Sequence, residues 1–106
     1  MCGIFGIVST TLVSSADLDV LVRHAQQRGR DSSGLITYAA RGYSVCRADQ
    51  PITRLLADVN LGGASVVMGH SRLITNGLGD NQPVVRDHLA VLHNGIVVND
   101  EAIWPT

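Results

Sequence analysis

Met1-Cys2-Gly3-Ile4-Phe5-Gly6-Ile7-Val8 is apolar from its second residue onward and carries no charged side chain. Such a run predicts a buried strand that begins at the N-terminus. Gly3 and Gly6 weaken a strand, so their presence predicts a close approach to the backbone there. Beyond this strand, Leu18, Leu21, Val22 and Ala25 recur at i, i+3, i+4 and i+7, the spacing of one helix face. Ser14 with Asp17 three residues later resembles a capping box, and Gly29 is placed to close the helix after Arg28.

Two strands are predicted over 35–39 and 43–47, joined by a turn at Ala40-Arg41-Gly42. Pro51 suits the first turn of a short helix carrying Leu55, Leu56 and Val59, which Gly62-Gly63 ends. The run 64–71 reads as a strand with an apolar middle, as in a sheet covered on both faces. Residues 75–82 form a polar, Gly-rich loop. A further strand pair is predicted at 84–85 and 89–93, with Arg86-Asp87 between, and Asn94-Gly95 makes a sharp break after it. Asn99-Asp100-Glu101 has the character of a helix N-terminus. That helix starts seven residues before Thr106 and has no stop signal of its own, which predicts that the chain is the N-terminal part of a longer one.

Hydrophobic residues make up 45% of the 106 positions and charged residues 16%, against about 25% charged in an ordinary soluble domain. This excludes a disordered chain and predicts that much of the surface is to be covered. The formal net charge of −1, with the eight arginines scattered, argues against a general nucleic-acid binder. Cys2 and Cys46 are too few for a disulfide framework. No basic stretch precedes the N-terminal apolar run, and no apolar run approaches the 18 or so residues of a membrane span. A cytoplasmic location is the resulting expectation, with no membrane and no nucleic-acid partner.

Four stretches carry candidate chemistry. If Met1 is removed, the thiol of Cys2 and a free α-amine share one Cα. The amine, with an ordinary pKa of about 7.7–8.0, could take the proton from a thiol of about 8.5. Equally, Cys2 fits as a small apolar residue of a buried strand. The polar loop Gln27-Arg28-Gly29-Arg30-Asp31-Ser32-Ser33-Gly34 could brace a mobile N-terminus through an arginine, or be an ordinary surface turn. In Gly69-His70-Ser71-Arg72-Leu73-Ile74-Thr75-Asn76-Gly77, Arg72 at a strand end could grip a carboxylate, with Thr75 and Asn76 as neutral hydrogen-bonding neighbours. It could also cap carbonyls. In His93-Asn94-Gly95, the Asn94 side-chain amide and the Gly95 N–H could donate to one oxygen as an oxyanion hole, or the pair could be a type I′ turn. His70, His88 and His93 fall on different predicted elements, with no metal-ligand spacing. No cofactor fingerprint is present.

Taken together and in order, MCGIFGIV, QQRGRDSSGL, GHSRLITNG with NQPVV, and LAVLHNGIVVN resemble the N-terminal-nucleophile (class II) glutamine amidotransferase domain. The resemblance runs from Met1 to about Glu101. RGRDSSG and HNG are most similar to the glucosamine-6-phosphate synthase and amidophosphoribosyltransferase branches. Asparagine synthetases usually have a glutamate where this chain has Ile96.

The resemblance implies an α+β fold, an Ntn-hydrolase-type four-layer αββα sandwich of antiparallel sheets. Residues 1–106 would supply the N-terminal part of it, leaving sheet edges and apolar faces uncovered, with poor solubility or self-association as the consequence. It implies hydrolysis of L-glutamine to glutamate and ammonia, with the ammonia passed to a synthase domain normally on the same chain. Cys2 would be the nucleophile, forming a γ-glutamyl thioester. Asn94 and Gly95 would form the oxyanion hole, and Arg72 would bind the glutamine α-carboxylate. Thr75 would stand beside it, and Asn76 stands where the sugar-phosphate members carry a histidine. Arg28 would brace the N-terminal loop. Neither metal nor cofactor is implied, and a homo-oligomer is compatible with the resemblance. The family's acid for the glutamine α-amine lies well downstream of the oxyanion pair and has no counterpart within these residues. Three alternatives follow: an inactive fragment, a non-catalytic glutamine- or partner-binding module of the same fold, or an N-terminal-Cys hydrolase of another amide.

Overall fold

The computed structural model describes residues 2–73, 82–95 and 98–103. The elements run β1 (Gly3–Val8), α1 (Ser15–Gln26), β2 (Ser32–Ala39), β3 (Gly42–Ala48), α2 (Ile52–Asp58), β4 (Val66–Arg72), β5 (Val84–Arg86), β6 (Leu89–Val91) and α3 (Asp100–Ile103). The first four strands make one sheet in the order β1-β4-β2-β3, and β5 and β6 make a second, two-stranded sheet. Every ladder is antiparallel. The architecture is therefore α+β with antiparallel sheets, as expected, and the N-terminal strand is an edge of the larger sheet.

The local signals explain most of the elements. The Ser14 hydroxyl accepts from the Asp17 N–H at 3.4 Å and caps α1. Leu18, Val22 and Ala25 form its buried stripe. The helix stops at Gln26, two residues short of the sequence expectation, and Gly29 N–H donates to the Gln26 carbonyl (3.2 Å). The Pro51 carbonyl accepts from Arg54 and Leu55 N–H to start α2. Ile52 and Leu55 are its buried positions.

Both helices lie on one face of the large sheet. Phe5, Leu35 and Val67 meet Leu18, Val22, Ala25, Ile52, Leu55 and Ala64 in one core. A fully buried side chain of this size contributes about 1.5–3 kcal/mol relative to an exposed one. Gly3 is where the backbone approach comes true: a Cβ there would lie 2.6 Å from the Ala25 carbonyl oxygen. At Gly6 the expectation is not met: a Cβ there would meet the flexible Met68 side chain at 3.3 Å and the Val67 carbonyl oxygen at an ordinary contact distance of 3.9 Å.

Three further expectations are corrected. The polar loop read over 27–34 is partly strand, because β2 starts at Ser32 and pairs with Arg72 on one side and, from Ser33, with Ala48 on the other. Neither is β4 covered on both faces: Met68 on its second face is 37% exposed. The β5–β6 hairpin, with three residues in each strand, is too small to roof four strands. Between it and the second face lies a cavity of about 840 Å³, lined by Ile4, Ile36, Val45, Met68, Val85 and Leu89 among others. The second strand pair itself is shifted from expectation, with Arg86 paired to Leu89, the turn at Asp87-His88, and His93 outside the strand.

Candidate active site

The β1–β4 register builds the site end of the sheet. Gly3 is paired with Ser71 and Ile4 with His70. One step further out, Cys2 and Arg72 stand at the same end of adjacent antiparallel strands. Both are half-buried, and Cys2 is a free thiol. Ser32, paired with Arg72, begins the next strand at that end. The structure thus brings together two candidates that lie 70 positions apart in the sequence.

The segment after α1 is laced to the same end. Asp31 N–H donates to the Arg72 carbonyl at 3.0 Å, and the Ser71 hydroxyl donates to the Gly29 carbonyl. Arg28, next to Gly29, has an exposed side chain, while its N–H donates to the Ala25 carbonyl at 3.0 Å. Thr75 and Asn76 lie outside the described residues, as does Met1.

Asn94 and Gly95 follow β6 and are exposed. Gly95 has φ 150°, a value disfavoured for any side chain. The preceding residue is tied down: His93 N–H donates to Gln82 Oε1 at 2.6 Å. The start of the hairpin is itself held on the sheet. Arg47 Nη1 donates to the Pro83 carbonyl at 3.3 Å, and Pro83 is buried. The Gln82 carbonyl lies so close over Gly34 that a Cβ at Gly34 would stand 1.6 Å from it. Gln82 falls in the quoted NQPVV stretch, but nothing in its residue type or spacing signals a link to His93.

His70, which the sequence offered only as a rejected metal ligand, is buried at the same end of the sheet. It is 1% exposed, and neither ring nitrogen has a hydrogen-bond partner among the described residues. The Ser32 hydroxyl is buried and unpartnered in the same sense. Burial pushes the His70 pKa below its ordinary 6.5; the His93 main chain works the other way, and the charges of Arg72 and His93 add to the lowering. The native state therefore resists taking a proton that the unfolded chain accepts near 6.5. Stability is expected to be full above that pH and to fall as pH drops below it toward the folded pKa. Urea midpoints between pH 7 and pH 5 check this: the wild type should lose stability across the interval, and His70→Gln should lose less. Equal losses would remove His70 from the account.

Among the described residues, no three His, Cys, Asp or Glu side chains gather closely enough to hold a metal ion. No helix among them is long and apolar enough to cross a membrane.

No protein-family model matches the chain, and no solved structure matches it. Curated proteins do. The chain is 39% identical over 106 residues to a glutamine--fructose-6-phosphate aminotransferase [isomerizing] of Bartonella quintana, covering 93% of this chain. It is 35% identical over 105 residues to proteins of the same name from Brucella abortus and Agrobacterium fabrum. The chain spans 17% of the length of each of these relatives.

Proposed function

We propose that residues 1–106 are the N-terminal part of a class II glutamine amidotransferase domain, hydrolysing L-glutamine at Cys2 and delivering ammonia to an acceptor. The observation that carries this reading is the Gly3–Ser71 pairing. It supports the reading because it carries Cys2 and Arg72 to the same end of two neighbouring strands. A nucleophile next to a carboxylate grip is what an amino-acid amide requires. The second, smaller antiparallel sheet facing the first supports an αββα sandwich. The relatives' name supports glutamine as the nitrogen donor and a sugar phosphate as the acceptor, bound by a further domain.

Removal of Met1 gives Cys2 a free α-amine. The neutral amine takes the thiol proton, and the thiolate attacks the γ-carbonyl carbon. The carbonyl oxygen becomes an oxyanion, to which Asn94 Nδ2–H and the Gly95 N–H donate. As the tetrahedral intermediate collapses, the C–N bond breaks and the ammonium form of the amine protonates the leaving nitrogen. Ammonia departs, leaving the γ-glutamyl thioester. Water, deprotonated by the same amine, attacks the thioester carbon, and glutamate and the thiol are released. Arg72 holds the α-carboxylate throughout, with Thr75 and Asn76 beside it, and Arg28 braces the loop behind Cys2.

Intact mass of the purified chain, before and after a glutamine-analogue electrophile, tests this reading. Loss of Met1 and a single adduct on Cys2, blocked by excess glutamine, is expected. A retained Met1, or a bare Cys2 that takes no adduct, would sink it. Arg72→Ala is expected to raise KM for glutamine with little change in kcat. A charge-assisted bond of roughly 1.5–3 kcal/mol corresponds to about a 10- to 100-fold rise. An unchanged KM would remove the carboxylate grip.

A further inference from the structure

The hairpin that carries Asn94 and Gly95 has an anchor of its own. Val84 is paired with Val91, and two steps outward Gln82 stands opposite His93. No main-chain bond joins them in the ladder. Instead the Gln82 side chain reaches across, and its Oε1 accepts from His93 N–H at 2.6 Å. Gln82 cannot drift, because its own carbonyl rests over Gly34 and the next carbonyl, of Pro83, accepts from Arg47. The Gln82 side-chain oxygen therefore ties the turn to β2 and β3, beside the approach of the His93 main chain to His70 on β4. The residue it grips is the one immediately before Asn94.

We propose that Gln82 is a positioning residue for the Asn94–Gly95 turn, fixing the two oxyanion donors relative to the sheet that carries Cys2. The proposal rests on the amidotransferase reading above. Gln82 touches no reacting atom; it acts through His93. Preorganised donors stabilise an oxyanion only where it will form, and a displacement of about 1 Å can cost on the order of 100-fold in rate. Loss of the anchor should therefore act on the transition state and not on ground-state glutamine binding.

Two variants separate this from a merely structural role. Gln82→Met keeps the length and removes the acceptor; Gln82→Glu keeps an acceptor oxygen. Glutamine hydrolysis by Q82M is expected to lose roughly 10- to 100-fold in kcat with KM nearly unchanged, and Q82E should restore most of it. Amide hydrogen exchange at His93 and Gly95 should quicken in Q82M while exchange in β4 is unchanged. Wild-type kcat in Q82M, an equal loss in Q82E, or a general quickening of exchange across β4 would each overturn the proposal. If the wild-type chain neither releases ammonia nor takes the electrophile, the amidotransferase reading fails. Exchange at His93 and Gly95 still decides whether Gln82 holds the turn.

Discussion

Cys2→Ala is expected to abolish glutamine hydrolysis while leaving the fold in place. The substitution removes the only atom proposed to bond to substrate. No general-base role of the α-amine can substitute for it, because the amine would then have to activate water against an unactivated amide. When a nucleophile is removed from a catalytic constellation, kcat falls by orders of magnitude, on the order of 10⁶-fold for a serine protease. A loss of at least about 10⁴-fold in ammonia release is the expected result here. The structural cost is small. The thiol is half-buried at the start of an edge strand, and β1 is held from Gly3 onward by its ladder to β4. A surface-like change is worth about 0.5 kcal/mol or less, a few degrees in Tm for a domain of this size. Ammonia release and a thermal melt on the same preparation check both halves. Residual hydrolysis within tenfold of wild type would show that another group attacks the amide. The N-terminal-Cys mechanism would then fall even if glutamine is the substrate.

What could be read from the sequence, and what could not, follows the range of the forces involved. Helix α1 was legible because its causes are local: the apolar stripe of Leu18, Val22 and Ala25, and the Ser14 cap. Strand existence was legible for the same reason. Pairing was not. That β1 lies beside β4, so that Cys2 and Arg72 stand at the same end of the sheet, depends on partners some 70 positions apart, and no residue pattern encodes that register. The early start of β2 at Ser32 was hidden because Ser-Ser-Gly has the composition of a turn. It becomes strand because β4 and β3 offer partners on both sides. At the site, Cys2, Arg72 and Asn94-Gly95 each admitted a bland explanation, and only their common order in the chain raised the chemical one. His70 was weighed only as a metal ligand, because a histidine in an apolar strand gives no sign of being buried without a partner. Gln82 escaped because its role lies in where one oxygen reaches.

Gly34→Ala is expected to produce the largest structural loss of any single methyl group added near the site. The new Cβ would stand 1.6 Å from the Gln82 carbonyl oxygen and 2.7 Å from Pro83 Cδ. The first is a main-chain atom, so no rotamer change relieves the overlap. Gln82 is held by its bond to His93, and Pro83 by Arg47. Either the hairpin lifts from β2 or β2 shifts in the middle of a sheet where it is paired on both sides. Overpacking of this kind costs about 1–3 kcal/mol or more, roughly 5–20 °C in Tm for a domain of about 100 residues. Gly6→Ala is the control, since its Cβ meets Met68 Cγ at 3.3 Å, on a flexible side chain that can yield, and the Val67 carbonyl oxygen at an ordinary 3.9 Å. Lifting the hairpin also displaces Asn94 and Gly95, the oxyanion donors of the proposed mechanism. Hydrolysis by G34A is therefore expected to fall at least tenfold at a temperature where circular dichroism still reports a folded sheet. G6A should stay near wild type in both respects. If G34A melts and hydrolyses like G6A, the hairpin does not rest on Gly34, and the route by which the large sheet positions the oxyanion turn would have to run elsewhere.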